Sequence, residues 1–327
     1  MKNERIAAWD NIKFFLIFLV VAGHLVVRGT DNSHLYQSIF TAIYAFHMPL
    51  FIFISGVFYN TKKAAEKTIG YLGIFVIMRL ILFVTEVLEG EVTTLDFFSF
   101  YGAPWFLFGI AVFTLLTYLL RNVRPVYILI VSAILGLFIG YDPNIGDFLA
   151  LSRIIVFYPF FILGTMLNRS SFENLLKKKS LKFLGLGIIL LWIVLCFVIN
   201  DKLYFLRPLF TGRNPYFPDL HGLGFLYRLL CYCIAAIVGL AFMFLIPTRK
   251  IPVITEFGQH TLGVYFWHWI IINLAVALGA YGTFFSSTAA GKVLWLALSI
   301  PLTLLCSLKC FDYPAKWLLK PFKKTGS

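Results

Sequence analysis

The sequence predicts an all-α integral membrane protein, a bundle of about ten transmembrane helices with both termini in the cytoplasm. Of its 327 residues, 60% are hydrophobic and only 13% are charged, and the mean hydropathy is +0.86. These values are too apolar for a soluble chain of this length. The apolar residues also fall in runs of membrane-spanning length, separated by polar connections.

Ten apolar stretches predict the helices in order. They lie near residues 12–28, 35–58, 68–88, 97–120, 125–141, 150–167, 181–199, 222–246, 258–280 and 291–311. The fifth is short and ends in the turn sequence Tyr141-Asp142-Pro143-Asn144. We expect residues 1–327 to form a single transmembrane domain with no appended soluble domain.

The basic residues predict the orientation of this bundle. With ten spans both termini lie on one side, and most of the 28 lysine and arginine residues fall on that side. Cytoplasmic loops carry such an excess, so both termini are expected in the cytoplasm. Acidic residues collect on the other side, at Glu86, Glu89, Glu91, Asp96, Asp142 and Asp147. The net charge of +13 is therefore mainly a topology signal, and the expected partner is the lipid bilayer and not nucleic acid.

The first stretch, from Trp9 to Arg28, carries three ionisable residues. Lys13 and His24 are eleven residues apart, about three helical turns, so they share one helix face, and Asp10 lies within about 40° of it. The helix would hold a cation near the inner headgroups and an imidazole about 16 Å deeper. Ionisable groups at this depth are costly and commonly functional. Snorkelling of Lys13 and an interhelical hydrogen bond from His24 are the structural alternatives.

Three more ionisable residues, His47, Arg79 and His268, come out near the depth of His24. A shared depth favours one polar cavity inside the bundle. Each also has a structural interpretation. His47 precedes Pro49, which kinks the helix, so His47 can repair the local hydrogen bonding. Arg79 stays charged in lipid and requires an anion or a ring of acceptors, and His268 can pack among its aromatic neighbours.

An unusually long outer connection runs from about residue 200 to 221. It mixes aromatic and basic side chains, at Tyr204, Phe205, Arg207, Arg213, Tyr216 and Phe217. Aromatic faces beside arginines suit a sugar or a phosphate-bearing acceptor, and equally an interfacial anchor. Near the outer ends of their helices, Arg153 and Arg228 are expected to snorkel. The five cysteines have no metal-site partners at workable spacing, so we expect no metal.

Short motifs along the chain carry a resemblance to a known family. They are Trp9-Asp10-Asn11 with Lys13 and, after ten intervening residues, His24; Phe46-His47-Met48-Pro49-Leu50-Phe51 running into Ser55-Gly56; Pro104-Trp105-Phe106-Leu107; Tyr158-Pro159-Phe160-Phe161 with Gly164; and Thr261-Leu262-Gly263-Val264-Tyr265 ahead of His268. Over almost its whole length the sequence resembles the membrane acyltransferase-3 family, particularly the fucose 4-O-acetylase-like branch that acetylates bacterial surface polysaccharides. Many relatives carry two arginines three apart on the third helix, where this chain has only Arg79.

The resemblance implies an O-acetyltransferase that moves an acetyl group from cytoplasmic acetyl-CoA, the acyl donor, to a hydroxyl of a glycan. That glycan would be a capsule, an exopolysaccharide or another envelope polymer. A neutral imidazole takes a proton near pH 7, so His24 is the expected general base. The catalytic group is predicted to be His24, Asp10 and His268. The donor-binding group is predicted to be Lys13, Arg79, His47 and Trp105.

Two other classes of function stay open on the sequence. A polysaccharide or lipid-linked glycan exporter without acyl transfer also needs ten helices and a mid-membrane polar cavity, but it has no need of the spacing between Lys13 and His24. A non-enzymatic sensor could also bury histidines, and it would bind a ligand without modifying it.

Overall fold

The structure, a computed structural model, describes residues 7–88, 90, 94–95, 98, 102–220 and 222–320, without the side chains of Asp31, Asn32 and Asp219. Glu89, Glu91 and Asp96 of the predicted outer loop lie outside the described residues. Within them every regular element is helical, and no strand occurs.

The described residues form eighteen α-helices. They are α1 (Ala7–Val26), α2 (His34–Tyr44), α3 (His47–Val57), α4 (Ala64–Leu88), α5 (Trp105–Leu119), α6 (Pro125–Phe138), α7 (Leu151–Thr165), α8 (Arg169–Leu176), α9 (Lys179–Val198), α10 (Asn200–Phe205), α11 (Arg207–Phe210), α12 (Gly224–Leu245), α13 (Ile254–Phe257), α14 (Thr261–Ala277), α15 (Thr283–Ser287), α16 (Ala289–Ala297), α17 (Ser299–Cys306) and α18 (Ala315–Leu318). Short 3₁₀ helices cover 27–32, 61–63, 139–141, 218–220 and 309–312.

Each predicted apolar stretch contains a helix, but two stretches are divided. The second breaks into α2 and α3 at Ala45 and Phe46, just before His47, and Pro49 lies in the first turn of α3. Proline is tolerated there because a first-turn amide has no partner within the helix. The last stretch divides into α16 and α17.

Length and apolar composition identify the helices that can cross a membrane. Among the described residues six helical segments qualify, at 7–30, 34–57, 61–88, 179–198, 224–245 and 289–306, and a seventh is obtained if α7 and α8, bent by 92°, count as one span. Three other apolar helices, at 105–119, 125–141 and 261–277, are shorter. At 1.5 Å per residue they fall below the roughly 30 Å thickness of a bilayer core. The protein is therefore an all-helical membrane protein.

Helix α1 lies at the centre of the bundle, packed against α2, α3, α14 and α17. Its fully buried Asn11 ties it to the connection after α12. The Asn11 amide nitrogen donates to the carbonyls of Pro247 (2.7 Å) and Arg249 (2.9 Å), and its oxygen accepts from the Thr255 hydroxyl (2.6 Å). Because its amide is buried and bonded at both its nitrogen and its oxygen, we infer that Asn11 positions α1 and takes no part in a reaction.

Two motif glycines bring α3 and α7 into backbone contact. A Cβ at Gly56 would overlap the carbonyl oxygen of Phe161, and a Cβ at Gly164 would overlap that of Phe53. Small residues permit such close helix packing in membranes. Helix α9 differs, since it presents exposed apolar side chains such as Leu190, Leu191 and Val194, as expected for a surface covered by lipid.

Candidate active site

Helix α1 brings His24 against two aromatic rings of α14. The ring centroid of His24 lies 5.2 Å from that of His268 and 4.4 Å from that of Trp269. His268 is completely buried, and its Nδ1 lies 2.8 Å from the carbonyl oxygen of Val264. Because a carbonyl only accepts, Nδ1 carries the proton, and Nε2 of the neutral ring is left as an acceptor. This Nε2 is buried without a hydrogen-bond partner among the described residues.

The break between α2 and α3 brings His47 to the same region. Its Nδ1 donates to the carbonyl of Ile43 across the break (2.9 Å), and not to that of Ala45, which Pro49 would leave open in a continuous helix. Its ring packs edge-on against Tyr44 at 4.7 Å, and Tyr44 in turn lies 6.5 Å from the His24 ring. The three histidines predicted at one depth therefore do come together.

His24 and His47 line the same cavity, of about 520 Å³, which we call the His24 cavity. This volume falls within the usual range of small-molecule sites, about 300–1,000 Å³. Aromatic rings form much of its wall, including Tyr44, Trp105 and Trp269. Gly102, with φ of +74°, makes room for one of them, since a Cβ there would lie 2.8 Å from the indole nitrogen of Trp269. The cavity thus combines stacking surfaces with titratable nitrogens.

Arg153 also lines the His24 cavity, and the sequence did not single it out for this role. Its side chain is buried, lies 5.3 Å over the ring of Trp105 and is 3.4 Å from the carboxylate of Asp147. The snorkelling predicted for Arg153 and Arg228 is therefore wrong, because both side chains are buried inside the protein.

The outer connection, which folds as α10, α11 and a 3₁₀ turn, covers the His24 cavity. Tyr204, Arg207 and Phe217 from this segment line it. Arg228 of α12 holds the segment in place by donating to the carbonyls of Leu209 and Arg213, both at 3.0 Å, and to the side chain of Asn214 at 2.9 Å. Four of the six aromatic and basic residues singled out in the connection therefore line the His24 cavity, and Phe205 and Tyr216 do not.

A second cavity, of about 220 Å³, surrounds Lys13 at the other end of α1, and we call it the Lys13 cavity. The ammonium of Lys13 pairs with the carboxylate of Asp10 at 2.7 Å, and the Asp10 side chain is only 3% exposed. Lys67 of α4 and several hydroxyl groups complete the polar lining, at Ser55, Tyr59, Tyr71, Thr114 and Thr261. Its volume is below the usual range, so it can hold only part of a large ligand.

Three packed rings run from the wall of the Lys13 cavity to His24, and we call them the partition: Phe106, Tyr265 and His268. Phe106 and Tyr265 line the Lys13 cavity with ring centroids 5.0 Å apart. Tyr265 lies 5.7 Å from His268, which contacts His24 on the other side. The Tyr265 hydroxyl donates to the carbonyl of Ala103, which fixes α14 to the residues before α5.

Three of the four residues of the predicted donor-binding group lie outside the Lys13 cavity. Arg79 lines neither cavity, and its guanidinium donates to both carboxylate oxygens of Glu86, at 2.8 and 2.9 Å, so its own helix supplies its anion. Trp105 lines the His24 cavity, as does His47. No group of three His, Cys, Asp or Glu side chains within the described residues is arranged to hold a metal ion.

Comparison with known proteins agrees with the resemblance read from the motifs. The sequence model described as an acyltransferase domain matches residues 6–311. The chain is 30% identical over 223 residues to the nodulation protein NolL of Sinorhizobium fredii, covering 61% of this chain and 58% of that protein. It is 28% identical over 181 residues to NolL of Mesorhizobium japonicum, covering 50% and 48% respectively.

The chain thus spans about half the length of the curated relatives that it matches. No solved structure matches it. Because the family match extends over nearly all of the sequence, including α1 with Lys13 and His24 and α14 with His268, the chain belongs to the membrane acyltransferase-3 family and is an acyltransferase.

Proposed function

We propose that the protein transfers an acetyl group from cytoplasmic acetyl-CoA to a hydroxyl of a cell-surface or exported glycan. The observation that carries this proposal is the contact of His268 with His24, which lines the His24 cavity and lies on the same helix that places Lys13 in a separate cavity. Membership in an acyltransferase family favours this reaction over the glycan exporter and the sensor.

In the proposed reaction His24 is the general base. The acceptor hydroxyl gives its proton to a ring nitrogen of His24, while its oxygen attacks the thioester carbonyl of the donor. The carbon–sulfur bond then breaks, the sulfur of CoA takes the proton back from His24, and the acetyl group remains on the acceptor oxygen. His24 is therefore regenerated in each turnover.

His268 would orient the base in this scheme. Its Nε2 is an unpartnered acceptor beside the His24 ring. A hydrogen bond from one nitrogen of His24 to this Nε2 would fix the tautomer of His24 and leave the other nitrogen free to accept a proton. Asp10 would not contact the reacting groups, and its role would be to hold Lys13 through their ion pair.

The donor would enter from the Lys13 end and the acceptor from the His24 end. Lys13 and Lys67 supply cations for the donor phosphates, and the acetyl end would reach His24 across the partition. Arg79, already paired with Glu86, would hold the donor only if that pair opened.

The membrane arrangement that we propose has ten spans with both termini in the cytoplasm, so that the Lys13 cavity faces the cytoplasm and the His24 cavity faces outward. Reporters fused after Lys63, after Arg124 and at Ser327 should then read cytoplasmic, and one placed between Glu89 and Asp96 should read outside. An inverted result at any two sites would contradict both the topology and the assignment of the donor side.

The test of the proposed chemistry is His24→Gln, which keeps a hydrogen-bonding side chain of similar size but has no titratable nitrogen. Loss of general base catalysis lowers the rate by about 10² to 10⁴. Loss of one interhelical hydrogen bond costs only about 0.6 kcal/mol. The variant should therefore accumulate in the membrane at the wild-type level, while NMR of the surface glycan shows no acetyl signal.

The matched control is His34→Gln, because His34 is exposed and lines neither the Lys13 cavity nor the His24 cavity. It should leave acetylation unchanged. If His24→Gln retained acetylation within a few-fold of wild type, His24 would be a packing residue and the proposed mechanism would be wrong.

A further inference from the structure

Three arginines line the His24 cavity, namely Arg153, Arg207 and Arg213, and its lining includes no aspartate or glutamate among the described residues. Two of the three, Arg207 and Arg213, belong to the connection that covers the cavity and are exposed at its mouth. The cavity is therefore open to a ligand on its most positively charged side.

The two arginines at the mouth have no anionic partner among the described residues, whereas Arg153 lies 3.4 Å from the carboxylate of Asp147. Arg207 stacks on Tyr204 at 4.5 Å and makes only a long 3.5 Å hydrogen bond to the carbonyl of the same residue. Neither Arg207 nor Arg213 forms an ion pair with the described residues. The positive charge of Arg213 repels that of Arg153. An added anion would relieve this repulsion.

Topology and packing do not account for these residues. Outer loops of membrane proteins are depleted of lysine and arginine, and in the proposed orientation Arg207 and Arg213 lie in an outer connection. Arg228 is the residue that holds this connection together, with three hydrogen bonds to it. The arginines at the mouth are thus available for a ligand, beside the aromatic faces of Trp105 and Tyr204.

We propose that the acceptor is an anionic glycan, whose carboxylate or phosphate is bound by Arg153, Arg207 and Arg213 while one of its hydroxyls reaches His24. The planar guanidinium group pairs with either anion through two parallel hydrogen bonds, and a sugar ring packs on aromatic faces. The anion belongs either to an acidic sugar of the glycan or to the phosphate that joins the glycan to a carrier lipid. This inference rests on the proposed function, which supplies the direction from which the acceptor enters.

The test compares three probes that differ only in their anion. They are a neutral trisaccharide, the same trisaccharide with one sugar oxidised to a uronic acid, and the neutral trisaccharide carrying a phosphate at its reducing end. Each is titrated by calorimetry into the full-length protein in lipid nanodiscs, at fixed salt because salt screens exposed charges. Dissociation constants are measured for wild type, Arg207→Gln, Arg213→Gln, Arg213→Lys and Lys202→Gln.

We expect at least one anionic probe to bind the wild type about ten- to a hundredfold more tightly than the neutral one, as charge-assisted hydrogen bonds do. Arg207→Gln and Arg213→Gln should reduce this preference, and Arg213→Lys should keep part of it. Lys202→Gln removes the same charge from an exposed position of the same connection that does not line the cavity, and should leave the preference intact. Preference for the uronic acid places the anion on the sugar, and preference for the phosphate places it at the carrier.

Equal affinity for all three probes would overturn the inference, and so would an anion preference that Lys202→Gln reduces as much as Arg213→Gln does. A loss of CoA binding in Arg213→Gln would also overturn it, since the arginines would then serve the donor. Binding is measured without acetyl-CoA, so it does not depend on the reaction. An anion preference without acetylation, once acetyl-CoA is added, would refute the proposed function and leave the anion site standing.

Discussion

The Lys13 cavity and the His24 cavity lie along one helix face, but they differ in volume and in chemistry. The first is about 220 Å³, and its charged lining residues are two lysines; the second is about 520 Å³ and is lined by histidines, arginines and aromatic rings. Lysine is a mobile point charge, whereas arginine recognises a planar anion and stacks on rings. The group able to exchange a proton near neutral pH, the imidazole, lines only the second.

Under the proposed function, the two ends of α1 serve different parts of the group transfer. The small cavity suits the narrow end of a donor whose phosphates lie near lysines, and the large one suits a glycan that is stacked and held by arginines. Changes in one cavity should therefore alter the kinetics of one substrate. Changes in the partition should alter how strictly the use of the donor depends on the acceptor.

Lys13→Ala should have the largest effect among the variants that distinguish the two cavities. Loss of a charge-assisted hydrogen bond to a donor phosphate, worth about 1.5–3 kcal/mol, raises the KM for acetyl-CoA by about 10- to 150-fold. The KM for the acceptor should not change, and Lys13→Arg should retain most of the activity. Steady-state kinetics in membrane vesicles, with each substrate varied in turn, measures both constants.

The ion pair with Asp10 requires a second variant. Lys13→Ala removes a 2.7 Å partner of a carboxylate that is only 3% exposed, and this loss should lower the amount of folded protein. The double variant Asp10→Asn with Lys13→Ala should restore the amount of folded protein but not the KM for acetyl-CoA. If it restored both, Lys13 would act only as the counterion of Asp10, and the donor side would need another cation.

Gly102→Ala should have a smaller effect, confined to the His24 cavity. A Cβ at residue 102 would lie 2.8 Å from the indole nitrogen of Trp269, which contacts His24. One carbon in a binding pocket changes affinity by about tenfold or more, so the KM for the acceptor should rise by about tenfold while that for acetyl-CoA stays constant.

Gly90→Ala is the matched control for the backbone, because Gly90 has the same φ of +74° but an added Cβ would have no atom of the described residues within 4 Å. Both substitutions place alanine in the left-handed region, at a cost of about 1–2 kcal/mol. Thermal unfolding should show a similar destabilisation of both variants, and only Gly102→Ala should alter the acceptor kinetics. An equal kinetic change in both would mean that strain, and not the shape of the cavity, is responsible.

The sequence predicted the apolar helices and suggested one depth for the histidines, because apolar runs and helical periodicity give the position of each residue along its helix. His24, His47 and His268 come together as that depth suggested. The seven-residue spacing between Arg79 and Glu86, two helical turns, also offered a signal for their ion pair.

The role of Arg153 and the position of the outer connection could not be predicted in this way. Asp147 is separated from Arg153 by a turn in which Leu149 and Ala150 have φ of 50°, so no helical register relates the two side chains. Tyr204 and Arg207 share a cavity with His24 because of packing between residues about 180 positions apart in the chain. A single sequence does not encode such packing as a local pattern.

Tyr265→Phe should have the smallest effect, and it tests the partition itself. The substitution removes one hydrogen bond, from the Tyr265 hydroxyl to the carbonyl of Ala103, and such bonds are worth about 0.6 kcal/mol in membrane proteins. If this bond holds the partition closed, its loss raises the open population about threefold. Water from the His24 cavity then reaches the thioester, so hydrolysis of acetyl-CoA without acceptor should rise by the same factor.

The matched control for this variant is Tyr232→Phe, because the Tyr232 hydroxyl makes the same kind of bond, to the carbonyl of Val156 at 2.6 Å, and Tyr232 lines neither cavity. Both variants should lose a similar amount of stability, since each loses one hydroxyl-to-carbonyl bond. Only Tyr265→Phe should release free CoA faster in the absence of acceptor, measured by thiol titration. Equal hydrolysis in the two variants would show that the Tyr265 bond serves packing alone, and that something other than this bond keeps the Lys13 cavity and the His24 cavity apart.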